Sequence, residues 1–332
     1  MLTTSAQKVH KWLNETGLEL ALHKCEAMII TKTRSNNEMN ISINGHKVET
    51  KGHMKYLGVH LDSKWSFSAH AKEASAKASK VAQNLSRIMP NISAAKWRKR
   101  TLYSNIVHSI LLYGAPIWAH DMSASGWEHM KRVQRRICLR TASAYCTVSG
   151  DAIAVITGVA PLDITAKDRS DEYNNRRNPE NTRAIEDPTS TWQRRWDEST
   201  KGRWTHELIT DIKTWTQRKH GEINFHLTQV LSGHGCFSKY LKKYAKLESE
   251  ECWYCGHPTD DAYHTMFVCD AWHRLRNEAE TYLEIRLTPG NMVSTMLSSK
   301  RNWHIVDELV HKIMSHKEIE ERRRQALPAL TT

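Results

Sequence analysis

The apolar positions of this chain change their period near residue 63. Before it the runs are short and strand-like; after it they recur every three to four residues, the spacing of one helical face. Val9, Trp12 and Leu13 predict the end of an amphipathic helix over Val9–Thr16, stopped by Gly17. Leu18, Leu20 and Leu22 alternate, and Ala27–Ile30 reads as a short buried strand. Ile41, Ile43 and Val48 flank Asn44-Gly45, the strongest short hairpin signal. Met54–Leu61 reads as one further strand. Residues 1–62 therefore predict one helix and three or four strands, too little to bury a sheet well.

From Trp65 onward the pattern is helical. Ala69–Met89 is rich in alanine and lysine and is ended by Pro90. Ala94–Leu112 places Trp97, Leu102, Ile106, Ile110 and Tyr113 at helical spacing, before Gly114 and Pro116 break it. Trp127–Ala142 puts Met130, Val133, Ile137 and Cys138 inward and Lys131, Arg132, Arg135, Arg136 and Arg140 outward. Shorter helices follow at Asp151–Thr157 and Leu162–Tyr173. Residues 174–190 hold few apolar side chains and read as a linker. Beyond it come Trp192, Trp196, Trp204 and Trp215, then Gly233-His234-Gly235-Cys236-Phe237, and a closing helix over Trp303–Leu327. Lys317–Arg324 is charged enough to read as a solvated end. The fold class expected is α+β, mostly α.

Charge sharpens this picture. The net charge is +12, and between Lys64 and Arg140 fourteen lysines and arginines face only Glu73, Asp121 and Glu128. Nearly the whole surplus sits in that helical stretch. Such a concentrated field favours a polyanion, most often nucleic acid, over a merely solvated surface. Lys96, Arg98, Lys99, Arg100, Lys131, Arg132, Arg135 and Arg136 are the candidate phosphate contacts. No run approaches the roughly 18 apolar residues of a membrane span, and no membrane partner is expected. The first residues carry no apolar signal-peptide core.

The most specific chemistry lies at Cys252-Trp253-Tyr254-Cys255, His264 and Cys269, a Cys-x2-Cys-x8-His-x4-Cys pattern. Four such ligands in eighteen residues suit one structural tetrahedral zinc, with no position left for a catalytic water. Gly256 allows the knuckle to turn. A redox Cys-x2-Cys is the rival reading, and His257 is an alternative to His264. An odd cysteine total with zinc-like spacing argues for a reducing compartment. Trp253 and Tyr254 are placed either to stack on unpaired bases or to pack on the helix bearing Trp272.

Three stretches resemble a known family. Gly17-Leu18-Glu19-Leu20-Ala21-Leu22-His23-Lys24-Cys25-Glu26 resembles the block after the catalytic hairpin of the reverse-transcriptase palm. Tyr56-Leu57-Gly58-Val59-His60-Leu61-Asp62 resembles the next block, the primer-grip hairpin. Leu112-Tyr113-Gly114-Ala115-Pro116-Ile117-Trp118, Gln134-Arg135-Arg136-Ile137 and Gly158-Val159-Ala160-Pro161-Leu162 resemble the thumb of insect non-LTR retrotransposon polymerases of the type-one, ribosomal-DNA class. Those proteins also end in a Cys-Cys-His-Cys motif after a tryptophan-rich segment.

The resemblance implies a C-terminal part of an RNA-directed DNA polymerase. It would comprise a palm remnant over 1–62, a basic helical thumb over 63–173, a linker over 174–190 and a zinc-bearing domain over 191–332. It implies element RNA and target DNA as partners, an upstream polymerase segment, a nuclear location, and Mg2+ only in the full-length parent enzyme. It adds Tyr56 and Gly58 as primer contacts and Lys24 as a candidate general acid. The catalytic aromatic-x-Asp-Asp hairpin of the family is expected to precede residue 1. The chain's only Asp-Asp, Asp260-Asp261, lies in the zinc loop and reads as a helix N-terminal acidic pair. The expectation is therefore nucleic-acid and zinc binding without polymerisation, with a protein-interaction module as the alternative.

Overall fold

The computed structural model describes residues 2–31, 41–88, 96–179 and 186–326. The expected boundaries at Met89, Pro90, Ala94 and Leu327, and part of the expected linker, lie outside these. Helix α1 (Leu2–Glu15) packs on a hairpin of β1 (Ile41–Ile43) and β2 (His46–Val48). Asn44 and Gly45 form its turn with φ of 51° and 80°, the two left-handed residues that a type I′ turn requires. The Asn-Gly signal is thus borne out.

Two strand expectations are corrected. Ala27–Ile30 forms no strand: it makes one isolated bridge, Ala27 to Thr50, and none of the four side chains is buried. Met54–Leu61 is not one strand but a second hairpin, β3 (His53–Tyr56) with β4 (Val59–Asp62). Leu57 and Gly58 turn it with φ of 46° and 86°. The apolar run Tyr56-Leu57-Gly58-Val59 conceals a turn because its left-handed first residue is leucine, which carries no turn signal. The two-residue turn leaves Tyr56 and Leu57 61% and 77% exposed.

The helices are α2 (Ser68–Arg87), α3 (Trp97–Leu111), α4 (Ala115–Trp118), α5 (Ala124–Thr141), α6 (Gly150–Thr157) and α7 (Leu162–Arg177). After them come α8 (Pro188–Glu198), α9 (Arg203–Leu208), α10 (Ile212–Thr216), α11 (Phe225–Ser232) and α12 (Ser238–Lys243). The last are α13 (His273–Leu283), α14 (Pro289–Ser298) and α15 (Lys300–Ala326). The molecule is mostly helical with two small antiparallel sheets, in line with the α+β expectation.

The first hydrophobic core gathers Val59, Phe67, Val107, Leu111, Trp118, Met130 and Ile137 from β4 and α2–α5. Alanines 71, 74, 78 and 82 let α2 approach α3 and α5 closely. The second core takes Cys138 through Ile156, the tryptophans 192, 196 and 215, and α11 to α15. Helix α5 contributes to both cores, Met130, Val133 and Ile137 to the first and Cys138 and Leu139 to the second, and Leu162 and Ala166 of α7 return to the first.

The three most deeply buried tryptophans each donate their N–H to a carbonyl. Trp118 donates to Tyr113 at 2.9 Å, Trp196 to Ile209 at 2.9 Å and Trp215 to Ile156 at 3.3 Å. The inward face of α5 is as expected, with Met130, Val133, Ile137 and Cys138 buried.

Helix α3 is turned the other way. Arg100, Ser104, Val107 and Leu111 face inward, whereas Leu102, Ile106 and Tyr113 are 58%, 40% and 55% exposed. Two stripes compete on this helix, and the inward one is only half apolar. Its polar members are satisfied in place: Arg100 donates to the Arg140 carbonyl at 2.7 Å, and Ser104 lies 3.3 Å from His108 Nδ1.

Gly58 locks the second hairpin to the bundle. A Cβ there would lie 2.9 Å from the Tyr113 ring, whose hydroxyl donates to the Leu57 carbonyl at 3.0 Å. Gly58→Ala adds both a left-handed backbone penalty and this clash, so we expect a loss of about 1–3 kcal/mol in urea unfolding. An unchanged midpoint would show that the hairpin is not fastened at this point.

Candidate metal centre and nucleic-acid interface

The metal centre is built by a loop that folds back on itself. Cys252 N–H donates to the His257 carbonyl at 2.9 Å, and Gly256 N–H to the Cys252 carbonyl at 3.0 Å. Gly256 turns with φ +73°. After Asp261 the chain forms a π-helical turn, His264–Val268, then a 3-10 turn, Asp270–Trp272, and enters α13. The wide π turn brings His264 and Cys269 to the same side, closed by Cys269 N–H to the His264 carbonyl at 2.8 Å.

The four expected ligand atoms lie within 4.8 Å of one another. Sγ of Cys252 is 3.8 Å from that of Cys269, and Sγ of Cys255 is 3.7 Å from it. Nε2 of His264 is 3.3 Å from Sγ of Cys255. A tetrahedron with metal–sulphur bonds of ~2.3 Å has sulphur–sulphur edges of about 3.8 Å. The donor set and its spacing therefore fit one tetrahedral ion of the zinc type. Backbone N–H groups of Tyr254 and Cys255 reach the Cys252 sulphur, and that of Ala271 reaches Cys269. Such bonds favour thiolate, the ligating form.

Cys252 and Cys269 share a hydrogen bond that draws the Cys252 thiol below its ordinary range and pushes that of Cys269 up. All seven cysteines are free. His257 is not part of the cluster: its Nδ1 lies 2.9 Å from the Thr259 carbonyl, and its ring stacks on His264 at 4.3 Å. Of the two histidines the sequence offered, the geometry brings in His264.

A buried ion pair ties this loop to the end of the chain. Lys317 Nζ donates to both oxygens of Asp260, at 2.9 and 2.7 Å, with the two side chains 0% and 1% exposed. Asp260 also accepts from Thr265 Oγ1 at 2.7 Å and from Ser238 N–H at 2.9 Å. Asp261 accepts from His264 N–H at 2.9 Å. Asp261 is thus the acidic cap expected from sequence, while Asp260 is a buried structural carboxylate.

Lys317 is a correction. It is the innermost charge of α15, not the start of a solvated end. Val306, Val310 and Ile313 precede it at inward spacing, and a lysine in that register was the available signal. Tyr254 packs on Trp272 with ring centroids 4.7 Å apart, and its hydroxyl donates to the His316 carbonyl at 3.2 Å. The Trp253 ring carries the Arg324 guanidinium at 4.6 Å. Both aromatics of the knuckle are engaged by packing.

The candidate phosphate contacts divide. Lys96, Arg98, Lys99, Arg132 and Arg136 are exposed. They lie on α3 and α5, which run antiparallel: Arg100 meets Arg140, and His108 meets Gln134 at 3.3 Å. Three others also make contacts within the protein. Arg100 is 4% exposed. Arg135 donates to the Cys146 and Val148 carbonyls at 2.5 and 2.7 Å, fastening the loop before α6. Lys131 lies 3.7 Å from Asp163, which Arg195 also grips through two bonds of 2.9 Å. Burial would raise Asp163, but Arg195 and Lys131 outweigh it and hold its carboxyl below the usual range. Tyr56 and Gly58 sit at the tip of the second hairpin, Tyr56 exposed and Gly58 against Tyr113. Lys24 is exposed at the end of a 3-10 turn, Leu22–Lys24.

Replacing Lys317 by methionine strands the Asp260 carboxylate in the interior. We expect a loss of about 3–5 kcal/mol in chemical denaturation, partly recovered in the Asp260→Asn/Lys317→Met double variant. A single-variant loss below about 1 kcal/mol would mean that water reaches the pair.

Comparison with known proteins places this geometry in context. The chain is 26% identical, over 95% of its length, to the Pol polyprotein of type-1 retrotransposable element R1 2 of Nasonia vitripennis, covering 83% of that protein. It is 25% identical to the R1 Pol polyprotein of Bradysia coprophila over 83% of its own length but only 30% of that relative. Over 41% of the chain it is 29% identical to the "Probable RNA-directed DNA polymerase from transposon BS" of Drosophila melanogaster, covering 15% of that protein. No family model and no solved structure matches. The resemblance read from the sequence is thus borne out: relatives at 22–28% identity that cover most of the chain are insect R1 Pol polyproteins.

Proposed function

We propose that this chain is a nucleic-acid-binding and zinc-binding part of a non-LTR retrotransposon reverse transcriptase. In this reading residues 1–62 belong to the palm and the α2–α7 helices form the thumb. The observation that carries it is the Cys252, Cys255, His264 and Cys269 cluster at tetrahedral spacing, in a chain alike over most of its length to Pol polyproteins. Zinc there is structural, because four protein ligands complete its shell. The exposed Lys96, Arg98, Lys99, Arg132 and Arg136 contact the phosphates of element RNA and target DNA. The hairpin tip at Tyr56 and Gly58 lies against the primer.

Polymerisation needs carboxylates free to hold magnesium. The one Asp-Asp pair of the sequence is committed, since Asp260 is consumed by Lys317, Thr265 and Ser238. The chain alone therefore does not extend a primer, and it works beside a polymerase segment that supplies those carboxylates.

A second reading, protein contact, is favoured by one observation. Leu102, Ile106 and Tyr113 present an exposed apolar stripe that runs to Leu57 and Tyr56 through the Tyr113–Leu57 hydrogen bond.

We expect one zinc per chain by elemental analysis, and a lower melting temperature after chelation or in Cys255→Ser. Metal-free protein with an unchanged melting temperature would refute the zinc assignment. Binding to element-like RNA and duplex DNA should weaken with salt. Arg132→Ala/Arg136→Ala should flatten the log–log slope by about 0.7–0.9 for each phosphate that is no longer neutralised. Salt-insensitive or undetectable binding would favour the protein-contact reading. Primer extension by the pure chain would overturn the inactivity.

A further inference from the structure

A cleft of about 1490 Å³ opens between the start of α3, the loop that joins α10 to α11, and the first turns of α15. Seven lysines and arginines line it against three carboxylates, which leaves four positive charges in surplus. The carboxylates are largely engaged. Glu318 accepts from Arg322 at 2.8 Å and faces His226 at 3.2 Å. Asp307 accepts from Asn224 at 2.7 Å. Glu222 lies 3.9 Å from Arg98. Helices α3 and α15 both begin on the cleft wall, at Trp97 and Lys300, and add the positive ends of their dipoles.

Arg218 gives the cleft its centre. Its guanidinium stacks 4.2 Å from the Trp215 ring and 5.6 Å from that of Trp303. One end donates to the Trp215 carbonyl at 2.6 Å, while its buried Nε has no hydrogen-bond partner. Among the described residues no carboxylate pairs with it, and burial pushes it down to about 10. A desolvated cation without a counter-charge is costly unless an anion completes it. The loop is fixed in this position: Gly221 has φ +85°, and a Cβ there would fall 2.2 Å from Trp303. Lys219, Lys300 and Arg301 stand exposed around Arg218.

We propose that this cleft is a second binding site for the phosphodiester backbone of nucleic acid, with Arg218 at its floor and Lys219, Lys300 and Arg301 on its walls. It rests on the nucleic-acid reading above and extends it. Lys96 and Arg98 line the same cleft, so a strand lying on α3 continues without a break onto the part of the molecule that holds the metal centre. A phosphate entering the cleft meets the Arg218 charge at its floor and the exposed Lys219, Lys300 and Arg301 on its walls, while the flat guanidinium stays clamped on tryptophan.

The experiment is a salt series of fluorescence anisotropy with labelled single-stranded RNA, single-stranded DNA and duplex DNA on the full zinc-loaded chain. Lys300→Glu/Arg301→Glu reverses two exposed charges at a helix start, where acidic residues are well tolerated. It should weaken binding at least about tenfold near 100 mM salt and lower the slope by about 2 for duplex, where each phosphate neutralised is worth about 0.9. Arg218→Gln, with its circular dichroism and zinc content unchanged, should weaken binding in the same direction. The three probes show which form of nucleic acid the cleft takes. If the wild type binds and Arg132→Ala/Arg136→Ala weakens it, but the α15 and Arg218 variants bind normally, the cleft proposal is overturned and the wider reading stands. If the wild type binds no probe, both fall.

Discussion

The Lys317–Asp260 pair is the constraint on which the C-terminal half depends. Two opposite charges are fully removed from water, and only their mutual attraction with the surrounding hydrogen bonds offsets that desolvation. The geometry meets the condition: both carboxylate oxygens take Lys317, and Thr265 and Ser238 occupy remaining lone pairs. Those partners come from α12, the metal-binding loop and α15. One carboxylate thus fixes three elements that are distant in sequence, and it does so four residues before His264. The Phe237 and Tyr254 rings, each 5.6 Å from Lys317 Nζ, complete the enclosure.

The consequence for the metal centre is positional. Cys252, His264 and Cys269 are buried, whereas Cys255 is exposed. The cluster is thus anchored on its inner side and open at one edge. Tyr254 and Trp253, the residues between the two knuckle cysteines, lie against Trp272 and Arg324. In this arrangement the knuckle is a fastening between the loop, α13 and α15. In the proposed reading the surfaces left for a polyanion are elsewhere, along α3 and α5 and into the cleft at Arg218. Holding nucleic acid, in that reading, calls for a rigid frame with its basic residues outside.

Much of this was legible in the sequence where a local rule decides the outcome. Asn44-Gly45 forces a hairpin because both residues accept positive φ. The Cys-x2-Cys-x8-His-x4-Cys spacing marks the four residues whose ligand atoms the fold brings within 4.8 Å of one another. The inward face of α5 follows from a single unambiguous apolar stripe. Legibility failed where tertiary context chose between near-equal alternatives. On α3 the more apolar stripe stays outside, because Arg100 and Ser104 find partners inside. For Arg100, Lys131 and Arg135 the sequence gives charge but not the carbonyls and the carboxylate they meet within the protein. Leu57 hid a turn by being apolar. The partner of Lys317 lies 57 residues away, and only its inward register hinted at one.

The central claim is that Cys252, Cys255, His264 and Cys269 jointly hold one zinc ion. The most direct measurement is X-ray absorption at the zinc edge on the full chain as purified. The account predicts three sulphur neighbours at about 2.3 Å and one nitrogen at about 2.0–2.1 Å. A shell of nitrogen and oxygen only, or one lacking the histidine signature, would contradict it.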